Sequence, residues 1–578
     1  MSDKAPDRVD CDLLVVGSGA AGMAAAITAK LHGLSVVLVE KAEVFGGTTA
    51  LSGGGLWVPG NPVSERIGLT DSRAAAREYM AVEAGEFNRP DMVEAFLEHG
   101  PAMVAFFEEN TAVRFVPAPL FPDYHPGQPG ASHGGRTLYA APYDGRELGA
   151  QVKALRPPLQ EMTLFGLVTV SGDEVRHFLN ATRSLRSARY VAGVFLRHLR
   201  DTLRHGRGMR LTNGNALAAR LARSVFDLDI PLWLNAPVQS LTQHDGRITG
   251  AKLHREGREV LVQARRGVVL ACGGFPQDRA RQRALFPHVQ RGGAHHSPAP
   301  IGNTGDGLAF GEQAGGRVDA HMAHPAAWAV FSRVPRNDGS VGVYPHFIDR
   351  AKPGMIAVDA RGQRFVNESD SYHDVIAAAL RSAAPDVRGL YLLCDHRAIR
   401  QYGLGFVKPF PMPLGGNLRN GYLKRGRTLA ELAAQIGVDP AALQATVDGY
   451  NAEAAHGRDP LFGKGGNAYN RFNGDPSWPG PNPCIAPMVE APFYAVELVV
   501  GDLGTFAGLR TDAQARVLDA REQPIPGLYA AGNDMASIMG GNYPGGGITL
   551  GPAMTFGYIA GRHAASLSSS TDQQHGNL

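Results

Sequence analysis

The segment Cys11–Glu40 constrains this chain more than any other. An apolar run, Cys11–Val16, leads into Gly17-Ser-Gly19-Ala-Ala-Gly22, an alanine-rich stretch that stops at Gly33, and a second apolar run, Ser35–Val39, ending in Glu40. Two apolar runs flanking a helical stretch predict a βαβ unit with parallel strands. A glycine triplet alone says little, because glycines serve tight turns everywhere. Between a strand and a helix, with an acid 18 residues beyond Gly22, it predicts a dinucleotide site. Gly17 makes the turn, Gly19 lets the backbone approach a pyrophosphate, and Gly22 permits close helix–strand packing. The helix start at Ala20 and Ala21 adds amides and a positive dipole end. Glu40, with Lys41 beside it, is placed to serve a ribose.

At 578 residues the chain is too long for one core. A second α/β block runs from about Asn213 to Gly274. It reads as a helix at Ala216–Ser224, a short strand at Leu232–Leu234, paired strands at Arg247–Lys252 and Glu259–Ala264, and a buried strand, Gly267–Ala271, ending at Cys272-Gly273-Gly274. Gly527-Leu-Tyr-Ala-Ala-Gly532 is a further strand running into glycine, followed by a glycine-rich loop and a helix at Ala553–Ala565. Strands distant in sequence that end in glycines predict one sheet whose carboxyl edges line a large ligand. From about Ala326 to Ala491 the sequence turns rich in proline, aromatics and polar loops. The expected fold is therefore α/β. A Rossmann-like cofactor-binding domain (residues 1–325 and 492–578) carries an inserted α+β catalytic or cap domain (326–491). A helical insertion lies at about 150–210.

Composition excludes several function classes. Apolar residues at 44%, charged residues at 19% and a net charge of +3 describe an ordinary soluble protein and give no nucleic-acid footprint. The four cysteines are scattered, with no iron–sulfur, haem or C-x-x-C spacing. This fits a reducing cytoplasm and electrons carried on an organic cofactor. Met1–Asp10 lacks the apolar core of a signal peptide, no run reaches membrane-span length, and the tail from Ser566 reads as frayed. Residues 176–205 carry seven arginines interleaved with Val191, Val194, Phe195, Leu196 and Leu199. A solvated basic face on a packed helix is the favoured reading; a membrane-surface helix is the alternative. His295, His296 and Asp306 lack a further ligand at metal spacing, so no metal is expected, and Asp306 is read as bracing a loop under the cofactor.

Directly after the βαβ unit comes Gly46-Gly47-Thr48-Thr49-Ala-Leu-Ser52-Gly53-Gly54-Gly55. Hydroxyls amid glycines make poor linker chemistry but suit contact with a flat ring system and its ribityl chain. The whole arrangement resembles the flavoprotein family of succinate dehydrogenases, fumarate reductases and 3-ketosteroid dehydrogenases. The resemblance covers Asp12–Trp57, Gly214–Asp306, Lys352–Asp374 and Gly501–Ala565, about half the chain. It implies FAD. Glu40 then holds the adenosine ribose, Gly47, Thr48, Thr49, Ser52, Gly53 and Gly54 approach the pyrophosphate and flavin, and Val238 pairs with adenine through its backbone. Gly273, Gly532, Ile548 and Leu550 complete the site. Asn533 stands where the reductases carry a glutamate for the ribityl hydroxyls. The helix start at Gly551-Pro552 points its dipole at the flavin. Relatives with covalent flavin carry a histidine in the Gly46–Thr49 loop, and this chain has none between His32 and His99, so FAD is expected to be non-covalent.

Enzymes of fumarate and succinate clamp a dicarboxylate with arginines, one of them in an Asn-Arg-Leu-Gly-Gly segment before the last helix. Here that segment reads Gly541-Asn542-Tyr543-Pro544-Gly545-Gly546-Gly547. A tyrosine hydroxyl suits a ketone oxygen and would leave a buried carboxylate without a counter-charge. The segment resembles 3-ketosteroid Δ1-dehydrogenases, in which it binds the carbonyl; Tyr543 and the Gly547 amide are the counterparts. Lys352-Pro-Gly-Met through Arg364-Phe-Val-Asn367-Glu368-Ser-Asp-Ser-Tyr372 resembles the stretch with the catalytic base, which implies Tyr372. Pro122-Asp-Tyr124-His-Pro126-Gly resembles the stretch with the assisting tyrosine, which implies Tyr124. A tyrosine with a pKa of about 10 is a poor base at neutral pH, so Tyr124 or a positive dipole must favour its phenolate. Tyr190, on the basic helix, is read as core.

The reading is an FAD-dependent dehydrogenase that places a C=C bond beside a ring ketone, with a 3-ketosteroid as first guess and an external acceptor such as a quinone. Alternatives are a desaturase of a smaller ring such as cyclohexanone, a steroid Δ4-dehydrogenase, an enoate- or fumarate-type reductase, and a non-catalytic electron-transfer module. The chain is longer than that subfamily's pattern, with extra sequence around residues 150–210.

Overall fold

The computed structural model describes residues 7–164, 167–168, 177, 184–382 and 388–567. Its first strand, Asp7–Val16, is followed by helix Ala20–Leu31 and strand Val36–Val39, which lies parallel to the first in the register Leu13↔Val36 to Val16↔Val39. The helix is buried on every side from Ala20 to Ala29, so small residues are required there. Leu232–Trp233 extends the sheet beyond Val36–Val39, and Arg258–Leu270 pairs with the first strand on its other flank, also in parallel.

Arg258–Leu270 organises the rest of the sheet. Its first half pairs antiparallel with Arg247–Arg255, which pairs with Val238–His244, while its second half pairs in parallel with Pro524–Ala530. The sequence reading split this strand into two at Arg265-Arg266-Gly267. The chain stays extended because Gly267, at φ 122°, lets the Gly527 carbonyl approach to where a Cβ would stand. Helix Leu550–Ser566 closes the layer against Ala20–Leu31. Side chains at Gly557 and Gly561 would meet the carbonyls of Ala21 and Ala25 at 2.4 and 2.7 Å.

A second sheet is antiparallel throughout, in the order Val341–Pro345, Ala326–Pro335, Phe493–Thr505, Leu390–Cys394, Met355–Val358. Its central strand, Phe493–Thr505, lies beyond the segment 326–491 to which the sequence reading gave this unit. Strand pairing is blind to chain order, and nothing local in Phe493–Thr505 announces which sheet it joins. Helix Tyr372–Arg381 packs on Ala326–Pro335, where the Trp328 amide donates to His373 Nδ1 at 3.1 Å.

Helix Leu185–His205 buries Val194 and half-buries Val191 and Phe195, while Arg186, Arg189, Arg197, Arg200 and Arg204 are exposed, as the favoured reading expects. Leu196 and Leu199, with Leu185 and Leu203, are 55–80% exposed and stay outside that packed face. Arg176 and Arg183, counted in that basic stretch, lie outside the described residues. No helix among the described residues is long and apolar enough to cross a membrane.

Candidate active site

A cleft of about 450 Å³ runs along the carboxyl edges of the parallel strands, within the usual size of a ligand pocket. At one end stand Glu40 and Val238, at the middle the start of helix Ala20–Leu31, and at the other end Asn533, Thr549 and Leu550. Every residue expected to hold the cofactor lines this cleft except Gly22, Gly53, Gly54 and Ile548. Two of these are packed against backbone: a Cβ on Gly22 would stand 1.9 Å from the Gly17 carbonyl, and one on Gly54 would meet Asn213.

The polar groups of the cleft are held in place. Glu40 Oε2 accepts from the Ser18 hydroxyl at 2.6 Å and amide at 3.1 Å, and Oε1 accepts from the Ala42 amide at 3.0 Å. Lys41 Nζ pairs with Asp306 at 2.6 Å, so Asp306 does brace a loop, that of Gly302–Gly305. The Thr49 hydroxyl accepts from the Ala20 amide at 3.0 Å, and Thr48 accepts from Asn303 Nδ2 at 3.0 Å. Gly19 offers no side-chain cap, which leaves the amides after Ala20 at the helix start open to an anion. At Asn533 the backbone makes room: a Cβ on Gly504 would lie 2.2 Å from Asn533 Nδ2. An elongated slot with a ribose-type acid, an open helix N-terminus and a carboxamide in sequence fits FAD. Arg156, Asn303 and Thr549 also line it and were missed. Arg156 falls in the stretch read as an insertion, yet its amide bonds to the Phe45 carbonyl at 3.0 Å beside the glycine-rich loop.

Three segments far apart in sequence bring tyrosines together. The hydroxyls of Tyr124 and Tyr372 are 3.0 Å apart. Tyr543 stacks on Tyr124 with ring centroids 5.5 Å apart and planes within 9°, and meets Tyr372 edge-on at 5.1 Å. All three are buried, at 4–5% exposure. Tyr469, which the sequence reading did not single out, lies 4.5 Å from the Tyr124 ring on the short helix Ala468–Asn473; a lone tyrosine in so short a helix carries no signal of its own. Tyr190 lies elsewhere, against His177.

Local chemistry explains each position. Tyr372 opens its helix behind a Ser371 cap that accepts from the Asp374 amide, so the ring sits at the positive end of the dipole. The Tyr124 amide and the Tyr79 hydroxyl both donate to the Pro544 carbonyl, at 2.9 and 2.6 Å, which ties the Tyr543 loop to the Tyr124 loop. Gly547 takes φ 103° against Gly55, where a side chain would collide with backbone. Its carbonyl accepts from the Trp57 amide, and its own amide finds no acceptor among the described residues.

Burial raises all three phenols. Tyr543 is pushed up to about 12, with hydrogen bonds from Tyr372 and Thr549 opposing the shift. Tyr124 and Tyr372 are driven well above the ordinary tyrosine value by burial first and by their phenol neighbours second. Tyr543 is thus a neutral donor at any working pH. His295 and His296 form no metal cluster with Asp306; His295 bonds to Asp502 and, at 3.1 Å, to His288 in a buried chain.

A nucleotide-shaped cleft on a Rossmann-type sheet, with phenols from two loops and a helix start converging nearby, defines a flavoprotein oxidoreductase. The comparisons then specify it. A family described as FAD binding domain is matched over residues 12–550, and the chain belongs to it. The chain is 40% identical to a 4-oxocyclohex-2-ene-1-carboxylate 5-dehydrogenase of Sinomonas cyclohexanicum, over 98% of this chain and 96% of the relative. It is 37% identical to a 3-oxosteroid 1-dehydrogenase of Mycobacterium tuberculosis, over 96% and 98%. The crystal structure of 3-ketosteroid Δ1-dehydrogenase from Sterolibacterium denitrificans superimposes with a TM-score of 0.89 at 36% identity, covering 96% of this chain and 99% of that one. The protein is an FAD-dependent dehydrogenase of the class that acts on CH–CH groups. Because these relatives are matched almost end to end, its length is shared with them and is no departure from the group.

Proposed function

We propose that this flavoprotein removes hydrogen from two adjacent ring carbons next to a ketone, leaving a C=C bond conjugated with the carbonyl. The observation that carries the reading is the convergence of Tyr124, Tyr372 and Tyr543, with two hydroxyls at 3.0 Å and the third ring stacked on Tyr124 and edge-on to Tyr372. The Tyr543 hydroxyl and the Gly547 amide hold the ketone oxygen and stabilise the enolate that develops on it. Tyr372 takes the proton from the α-carbon, and Tyr124 donates to the resulting phenolate. FAD, held by the cleft from Glu40 to Leu550, supplies the acceptor for the hydride from the β-carbon.

Burial keeps Tyr372 protonated at rest, so the proton can be taken only when the phenolate is stabilised. The start of helix Tyr372–Arg381 favours it, and so does the Tyr124 hydroxyl once it turns its proton toward Tyr372, against the burial and neighbouring phenols that raise Tyr372. Turnover therefore rises with pH through the alkaline range. A dicarboxylate substrate would need an arginine where Tyr543 stands, so fumarate reduction is disfavoured. The relatives act on a carboxylated cyclohexenone and on 3-oxosteroids, and a cyclic ketone is the substrate class common to both. The acceptor that reoxidises the flavin is proposed to be a quinone. The four free thiols suit a reducing compartment, which we take to be the cytoplasm.

Anaerobic titration of the yellow protein with a panel of cyclic ketones tests the reading. Ring ketones should bleach the flavin, and succinate should not. Bleaching by succinate, or rapid reduction of fumarate by the reduced protein, would overturn the ring-ketone assignment. Acid precipitation should release all the colour into the supernatant; colour kept on the denatured chain would mean covalent flavin.

A further inference from the structure

His125 stands between the tyrosine segments on which the proposed reaction depends, and no step of that reaction uses it. Its Nδ1 lies 2.7 Å from Glu83 Oε2 on helix Arg73–Ala84, and its Nε2 lies 2.8 Å from Asp374 Oδ2 on helix Tyr372–Arg381. A neutral imidazole has one N–H, so both carboxylates are served only when the ring carries both protons. Burial works against the charge, but hydrogen bonds that the ring donates to Asp374 and Glu83 outweigh it and push the ring up to about 11.

The same corner holds the third tyrosine. The His125 amide donates to the Tyr79 hydroxyl at 3.3 Å, and that hydroxyl donates to the Pro544 carbonyl next to Tyr543. The Asn542 side chain donates to the Glu83 carbonyl at 2.7 Å. Segments carrying Tyr124, Tyr372 and Tyr543 therefore meet at one imidazole and its two carboxylates. His125 follows Tyr124 directly, and Asp374 comes two residues after Tyr372.

We propose that His125 is a positioning residue: as an imidazolium gripped by Glu83 and Asp374, it keeps the Tyr124 and Tyr372 hydroxyls in contact and fixes both against the Tyr543 loop. The proposal rests on Tyr372 being the base. Other ionisable groups face the same corner. Asp370, raised to about 6 by burial, lies before the helix, and its carbonyl accepts from Arg350. Burial holds His373 neutral, near 3, and Tyr79 borders the ring from helix Arg73–Ala84. At neutral pH the Glu83–His125–Asp374 group carries one net negative charge, and losing the imidazolium would leave two. That change opposes a phenolate at Tyr372.

The folded pKa of His125 lies above its unfolded value of about 6.5. Its stabilising contribution is therefore full below about 6.5 and is lost as pH rises through about 11. The grip holds across neutral pH.

The test uses the FAD-loaded enzyme in anaerobic single turnovers with a saturating ring ketone. His125→Gln should slow flavin bleaching about 10- to 100-fold, as a misplacement near 1 Å does, with full flavin content and ketone Kd changed less than about threefold. The alkaline rise of the rate should move to higher pH. Glu83→Gln keeps the side-chain size, removes one negative charge and should move that rise to lower pH; it carries the test if His125→Gln does not fold. In a Tyr124→Phe background, His125→Gln should cost less than it does alone, because part of its effect runs through the Tyr124–Tyr372 contact. An unchanged rate and pH profile in His125→Gln, beside an inactive Tyr372→Phe, would overturn the proposal and leave the base assignment standing. An unmoved pH profile in Glu83→Gln, or full multiplication of losses in the Tyr124→Phe background, would also overturn it. Near-normal turnover in Tyr372→Phe would instead remove the base reading beneath it.

Discussion

The cofactor cleft and the tyrosine site lie in one molecule but are built on opposite principles. The cleft is made largely of backbone: glycines such as Gly17 and Gly273 where a side chain would collide, amides at the start of Ala20–Leu31, and strands that end at its edge. The tyrosine site is made of side chains carried in from residues 124, 372 and 543 and locked by hydrogen bonds between segments. A backbone site tolerates almost no added atom, whereas a side-chain site can lose one functional atom and keep its shape. Side chains added at the tightly packed cleft glycines should therefore destroy the holoprotein, and conservative changes among the tyrosines should remove chemistry alone.

The sharpest way to break this contrast is Gly22→Val. A Cβ there stands 1.9 Å from the Gly17 carbonyl, which is backbone and cannot swing away. No FAD-loaded protein should be recovered; a yellow, folded variant would show that the turn is looser than drawn. Tyr372→Phe comes next. Steady-state turnover should vanish while flavin content and ketone binding persist, and the absorbance of the bound flavin reports both.

Tyr543→Phe removes one donor to the enolate oxygen and keeps the stack on Tyr124. A loss of roughly 3–4 kcal/mol in transition-state stabilisation, a hundredfold to thousandfold in rate, is expected, with a much smaller change in ketone affinity. Equal losses in rate and affinity would mean that the hydroxyl binds the ground state as tightly as the transition state. Lys41→Met should do least. Its pair with Asp306 is about one-third exposed, so about 0.5 kcal/mol or less is at stake, near a twofold change in FAD affinity by titration of the apoprotein.

What could be read from the residues follows the same divide. The βαβ unit, Glu40 and the glycine-terminated strands were legible because local spacing dictates them, and the observed helix Asn213–Asp227 extends the expected one by three residues at each end. The continuous strand Arg258–Leu270 was not, because Arg-Arg-Gly reads as a break until the Gly527 carbonyl is seen to need the room. The tyrosines were legible only through resemblance to a family, since no spacing joins positions 124, 372 and 543. His125 was invisible: a histidine beside a proline in a loop gains meaning only when Glu83 and Asp374 arrive from two different helices.

The strand Pro524–Ala530 pairs with Val268–Leu270 and delivers Asn533 to a cleft whose other end is Glu40, nearly five hundred residues earlier. During synthesis at about 5–20 residues per second, the two ends of that cleft leave the ribosome roughly 25 to 100 s apart. From its own synthesis until Pro524–Ala530 appears, the end of Arg258–Leu270 has an unpaired edge, and the buried face of Ala20–Leu31 waits longer still for its cover of Leu550–Ser566. The nascent chain thus exposes its most apolar helix until its last strand and helix emerge, and a chain cut before Pro524 would be insoluble rather than merely inactive.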